Sequence, residues 1–90
     1  MVRGVRTIHK TVLNITDTQQ IVLPEESTLL SVAEQSGALC LWYLCDTSKQ
    51  FKSVHRIEIF GTGNPIPERD IGEFIGTVLT YGGQLVWHVF

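Results

Sequence analysis

The sequence predicts an all-β protein: six to seven short, mostly antiparallel strands forming a small sandwich or a partly open barrel. Three observations carry that prediction. Apolar residues recur at a period of two over short runs, with no long stripe at helical period. Gly, Pro, Asn and Asp punctuate those runs at short spacing. Near the end of the chain, Gly82-Gly83 separates two runs of strand-forming residues, as a tight hairpin turn does.

Thr7 to Ile15 is the first predicted strand, with Ile8 and Val12 on one face and Leu13 and Ile15 on the other. Thr16-Asp17-Thr18 supplies a turn, and Gln19 to Leu23 a short second strand closed by Pro24-Glu25-Glu26. Leu29 to Glu34 fits two descriptions. Leu30 and Val32 alternate as in a strand, whereas Ala33-Glu34-Gln35 are good helix formers. After Ser36-Gly37, the run Leu39 to Cys45 is apolar on both faces, the pattern of a central strand covered on both sides.

Asp46-Thr47-Ser48-Lys49 reads as a polar loop, and Phe51 to Phe60 as a long strand bearing Lys52, His55, Arg56 and Glu58. Pro67-Glu68-Arg69-Asp70 suits the first turn of a helix, so one short helical turn is expected near 67–73. Ile75 to Tyr81 and Gln84 to Phe90 complete the C-terminal hairpin. Its last strand carries Leu85, Val86, Trp87, Val89 and Phe90, apolar on both faces. Such a strand is either central in its own sheet or covered by another subunit. A homo-oligomer is the expectation, with burial inside the monomer as the open alternative.

Ninety residues make a single domain, 1–90, and a chain of this size hides only roughly 60–65% of its unfolded surface. Hydrophobic residues at 43% against 18% charged are enough for a core and exclude a disordered chain. A net charge of −2 and a pI near 5.8 argue against a binder of nucleic-acid polymers, which shows a basic excess. A single small anion needs only two or three local cations, so that class stays open. The first residues carry charges with no apolar stretch behind them, and the longest apolar run, Ala38 to Cys45, is far short of the ~20 residues of a spanning helix. The expectation is a protein of the cytoplasm with no membrane contact. Cys40 and Cys45 on one strand face opposite sides, which suits free buried thiols rather than a disulfide.

The stretch Gly61-Thr62-Gly63-Asn64-Pro65-Ile66-Pro67 asks for a specific backbone. Two glycines around a threonine permit positive φ and can leave consecutive N–H groups exposed, while Asn64 before Pro65 favours a turn. This loop either holds an anion or turns a corner. Arg69, and Arg56 with His55 before the loop, would add charge to an anion site, and Glu68 and Asp70 oppose it. Trp42, Tyr43, Tyr81 and Trp87 are flat surfaces on which a base can stack, although packing is the ordinary role of such rings. The candidate ligand residues are therefore Gly61, Thr62, Gly63, Asn64, Arg69, Arg56, Trp87 and Tyr81.

Catalytic and metal chemistry find no pattern. His9, His55 and His88 are scattered singly, without cysteine partners at zinc-site spacing. No serine sits in a Gly-x-Ser-x-Gly elbow, and both cysteines lie in an apolar run, the setting of an inert structural thiol. No catalytic residue, metal or cofactor is assigned, and the expectation is a non-enzyme.

Ile59-Phe60-Gly61-Thr62-Gly63-Asn64-Pro65-Ile66, then Ile75-Gly76-Thr77, then Gly82-Gly83 and Leu85-Val86-Trp87-His88-Val89-Phe90 resemble a family of short, functionally uncharacterised bacteriophage proteins. The likeness continues through Leu23-Pro24 and Cys40-Leu41-Trp42, and it weakens around Lys49 to Lys52. The resemblance implies an accessory protein acting in the host cytoplasm by binding something of the host. One implied role is an oligomeric anti-defence protein that sequesters a phosphate-bearing signalling nucleotide, as a cyclic nucleotide sponge does. The alternative is a protein-interaction module that inhibits a host protein or coats a virion component.

Overall fold

Side-chain alternation decides which face of each strand meets the core. In the computed structural model, which describes residues 4–90, the chain forms seven strands and, among those residues, no helix. They are β1 (Arg6–Leu13), β2 (Thr18–Pro24), β3 (Thr28–Gln35), β4 (Ala38–Asp46), β5 (Lys52–Gly61), β6 (Gly76–Thr80) and β7 (Leu85–Val89). Two antiparallel sheets result, in the orders β1-β4-β3 and β2-β5-β7-β6, and they do not close into a barrel.

The doubly apolar run lies where its composition demands, with β4 between β1 and β3. Its register with β1 is unbroken from Arg6↔Asp46 to Leu13↔Leu39. Leu39, Leu41, Tyr43 and Cys45 point inward and are buried, whereas Cys40, Trp42 and Leu44 share the outer face. The strand-or-helix choice at Leu29 to Glu34 resolves as strand. Helix propensity there amounts to a few tenths of a kcal/mol per residue, roughly, and the ladder to β4 outweighs it. A bulge between Leu29 and Ser31 leaves Leu30 exposed without shifting Val32 from the inner face.

Leu13, Leu39 and Leu41 of the first sheet meet Ile57, Ile59, Val78 and Val89 of the second to form the main core. Full burial of one such side chain contributes about 1.5–3 kcal/mol. A smaller cluster of Leu23, Tyr43 and Cys45 continues it, and both cysteines are free thiols. The C-terminal strand is central in its sheet, where β7 pairs β5 on one side and β6 on the other. Its hairpin is wider than a two-glycine turn. Residues 81–84 form the loop, with Tyr81, Gly82 and Gly83 all at positive φ.

The helical turn expected near 67–73 does not form, and residues 64–75 run as irregular chain between β5 and β6. The local bonds explain why. Pro65 and Pro67 have no N–H to give, the Arg69 N–H reaches only two residues back to the Pro67 carbonyl (2.9 Å), and Asp70 accepts from the Gly72 N–H (2.8 Å). Gly72, at φ +92°, adopts a conformation that no right-handed helix contains.

Where β3 lies against β6, Gly76 brings the two sheets together. A Cβ at that position would stand 2.8 Å from Cγ2 of Val32. Overpacking of this kind costs about 1–3 kcal/mol. Gly76→Ala is therefore expected to lower unfolding free energy by that amount in denaturant titrations. Adding Val32→Ala should make the double variant less destabilised than the sum of the two single changes.

Candidate ligand-binding site

Positions 56, 58 and 60 of β5 lie two residues apart, so Arg56, Glu58 and Phe60 share the outer face of the second sheet. Glu58 is only 2% exposed, and a carboxylate removed from water must be paired. Arg69 supplies two parallel bonds, Nη1 to Oε2 at 2.8 Å and Nη2 to Oε1 at 2.5 Å. Arg56 stands farther off, with Nη2 3.5 Å from Oε1. The hydrogen bonds from Arg69 hold the Glu58 carboxyl below its ordinary value of 4.5; burial opposes them, and the charges of Arg69 and Arg56 assist. The same pairing raises Arg69.

Because Arg69 belongs to the irregular segment, this ion pair fastens that segment over the sheet. Phe74 and Phe60 both set their rings edge-on to Phe90, with centroids 5.5 and 6.0 Å away. Main-chain bonds between Glu58 and Phe90, at 2.9 and 2.8 Å, bring the end of the chain alongside β5. His88 sits between two hydroxyls, Nε2 at 2.7 Å from Thr62 Oγ1 and Nδ1 at 3.0 Å from Thr77 Oγ1. A neutral imidazole donates to one hydroxyl and accepts from the other.

Two open clefts flank the Glu58 pair. The first, about 410 Å³, is lined by Ser27, Thr28, Arg56, Glu73, Phe74 and Phe90 among others. The second, about 420 Å³, includes Asp17, Thr18, Phe60, Asn64, Pro67 and Arg69. Arg56 is 57% exposed and Phe74 59% exposed, so the first cleft presents a guanidinium and an aromatic surface to solvent. In the second, Asp17 adds negative charge, and the cation present is already held by Glu58.

The residues singled out from sequence fall in four places. Gly61 to Asn64 is a corner: the Asn64 N–H bonds the Gly61 carbonyl (3.1 Å), the Thr62 N–H bonds that of Val86 (3.2 Å), and Gly63 takes φ +88°. Two of the amides offered for an anion are thus bonded within the protein. Gly61 itself makes room for its neighbours, since a Cβ there would lie 3.0 Å from Asn64 Nδ2 and 3.4 Å from the Trp87 ring. Trp87 packs against the core and donates from Nε1 to Thr80 Oγ1 (2.9 Å), so its ring is a structural element. Tyr81 is 75% exposed at the β6–β7 loop, where a separate hollow also takes in Glu34 and Gly37. Asn64 and Arg69 meet in the second cleft, and Arg56 lines the first. His55 points to the opposite face from Arg56, and its Nε2 is buried without a partner among the described residues.

Sequence reading passed over Ser27, Thr28, Glu73, Phe74 and Phe90. One signal was present. Phe74 is a large aromatic in a segment with Pro and Gly and no strand pattern, where nothing local calls for burial.

The fold and its clefts define a small two-sheet β domain with open hollows where the 64–75 segment meets the strands. This chain belongs to the family described as Domain of unknown function (DUF7352), whose model matches residues 5–90. No curated protein and no solved structure matches it.

The buried pair fixes a pH dependence. Glu58 has a folded-state pKa below its unfolded value, so its stabilisation is complete above about 4.5 and is lost as pH falls through the lower folded value. Thermal melts of the native protein should therefore drop in that acid range, and Glu58→Gln should flatten the drop. Arg69→Ala, which leaves the buried carboxylate with only the more distant Arg56, should reduce Tm far more than Arg56→Ala does.

Proposed function

We propose that the protein is a non-enzymatic binder of a small phosphate-bearing ligand, with a nucleotide as the class that fits. The binding place is the cleft at Arg56 and Phe74, not the Gly61–Asn64 corner. The observation that carries this reading is the division of labour between two arginines. Arg69 neutralises Glu58 through two close bonds, while Arg56 keeps most of its donors toward solvent. One guanidinium at the mouth of a 410 Å³ hollow can grip a phosphate at two points.

The remaining lining residues suit the rest of a nucleotide. Phe74, backed by Phe90, offers an exposed ring on which a base stacks, a contact that contributes ~1–3 kcal/mol per base. Glu73 places a carboxylate in the same cleft as an acceptor for N–H donors on a base edge. The Ser27 hydroxyl already donates to the Pro24 carbonyl (2.6 Å) but still accepts. The volume falls within the ~300–1,000 Å³ of ordinary small-molecule sites. Capture without conversion is the reading, consistent with a sponge for a signalling nucleotide.

The test is a retrieval experiment. Purified protein is incubated with a panel of cyclic and linear nucleotides, freed of unbound ligand and heat-denatured, and the released molecules are analysed. One nucleotide returned unchanged is the expected result; an altered product or an empty protein would sink the reading. Arg56→Ala and Phe74→Ala should each weaken binding by roughly tenfold. Tyr81→Ala should leave affinity unchanged.

A further inference from the structure

The outer face of the first sheet is open along its β1 margin, whereas Cys40 at its centre is buried (1% exposed) and Trp42 and Leu44 are half-buried. β1 contributes Ile8, Lys10 and Val12 to it, β4 contributes Cys40, Trp42 and Leu44, and β3 contributes Thr28, Ser31 and Ala33. Ile8 and Val12 are 57% and 58% exposed, although they are large apolar side chains on a regular strand. The second sheet carries a smaller apolar pair, Val22↔Val54, but the Gln20↔Arg56 and Pro24↔Lys52 rows bracket it with charge. The geometry points to a second copy of this chain as the occupant of the β1-β4-β3 face, packed sheet to sheet about a two-fold axis parallel to β4.

Two features of the face select a copy of itself. The first is shape. Its β1 column is made of large side chains and its β3 column of small ones. A two-fold axis along β4 lays β1 over the partner's β3, so the outer columns interlock, Ile8 over Thr28 and Val12 over Ala33 of the second copy, while on the axis Cys40, Trp42 and Leu44 meet their own copies. The ~30° angle of aligned sheets tolerates this arrangement. The second is charge. Lys10 lies in β1 and its ammonium bonds Gln35 Oε1 in β3 (2.7 Å), so its methylene stem crosses over β4 between them. The two-fold axis then places the two ammonium groups at opposite margins of the interface, each on its own glutamine, with the stems in contact at the centre.

Area sets the strength. Three strands ~4.8 Å apart and eight residues at ~3.3 Å give a flat face on the order of 400 Å². That is about half the ~800 Å² per partner of a standard stable complex, so the dimer is reversible and concentration-dependent.

Sedimentation equilibrium of the native protein from about 1 µM to 1 mM tests it. A monomer–dimer equilibrium across that range is expected. Ala33→Leu fills the notch and should weaken dimerisation at least tenfold, although it makes the face more apolar. Val12→Ala and Ala33→Val should each weaken it, and combining them, which moves the bulk from one column to the other, should restore it. All these positions are exposed, and far-UV circular dichroism with thermal melts checks that each variant folds. A native protein that stays monomeric at 1 mM, an Ala33→Leu variant that associates more tightly, or a combined variant weaker than both single ones overturns the proposal.

Discussion

A carboxylate with almost no contact to water organises the outer side of this protein. Glu58 lies in the middle of β5 on the face opposite the core, where an acidic side chain would ordinarily be solvated. It is covered because the chain between β5 and β6 folds back across the sheet, and that segment stays there because Arg69 meets Glu58 through two bonds. Each half depends on the other. Without the arginine the buried charge is unpaired, and without the carboxylate the segment loses its main polar attachment. Phe74 against Phe90, and Thr62 with Thr77 around His88, then fix the two ends of the same crossing.

The crossing also makes the clefts. The second hollow lies at the Glu58–Arg69 pair, between the irregular segment and β5, and the first lies where residues 72–75 and Phe90 meet Arg56 and Ser27 to Leu30. The two arginines of this region are held differently. Arg69 is committed to structure, and Arg56, one alternate residue away from Glu58 on β5, keeps its donors available. A loop with few main-chain bonds to the sheet is also the part of such a domain that opens at lowest free energy.

How far the fold was legible follows from how local its causes are. The apolar run from Leu39 to Cys45 reported a central strand, and β4 lies between β1 and β3. The apolar end of the chain is central in its sheet, with β5 and β6 on either side of β7. Ile8 and Val12 on β1, which in sequence look like half of an ordinary amphipathic strand, are exposed. The eight candidate ligand residues were dispersed by the fold. Trp87 went to the core, Tyr81 to another loop, and the Gly61–Gly63 amides partly into a turn. Only Arg56, Asn64 and Arg69 reach the clefts.

Sequence alone determined the strands, their turns and the absence of a long helix, because period-two alternation and Gly or Pro punctuation act over a few neighbouring residues. Tertiary structure decided which strands share a sheet, why 67–73 is irregular rather than helical, and which arginine is free. Those outcomes rest on contacts between residues distant in the chain, such as Glu58 with Arg69 and Val32 with Gly76. A carboxylate looks the same in a sequence whether it faces water or a guanidinium. Only the folded chain, by removing the water, makes the pair compulsory.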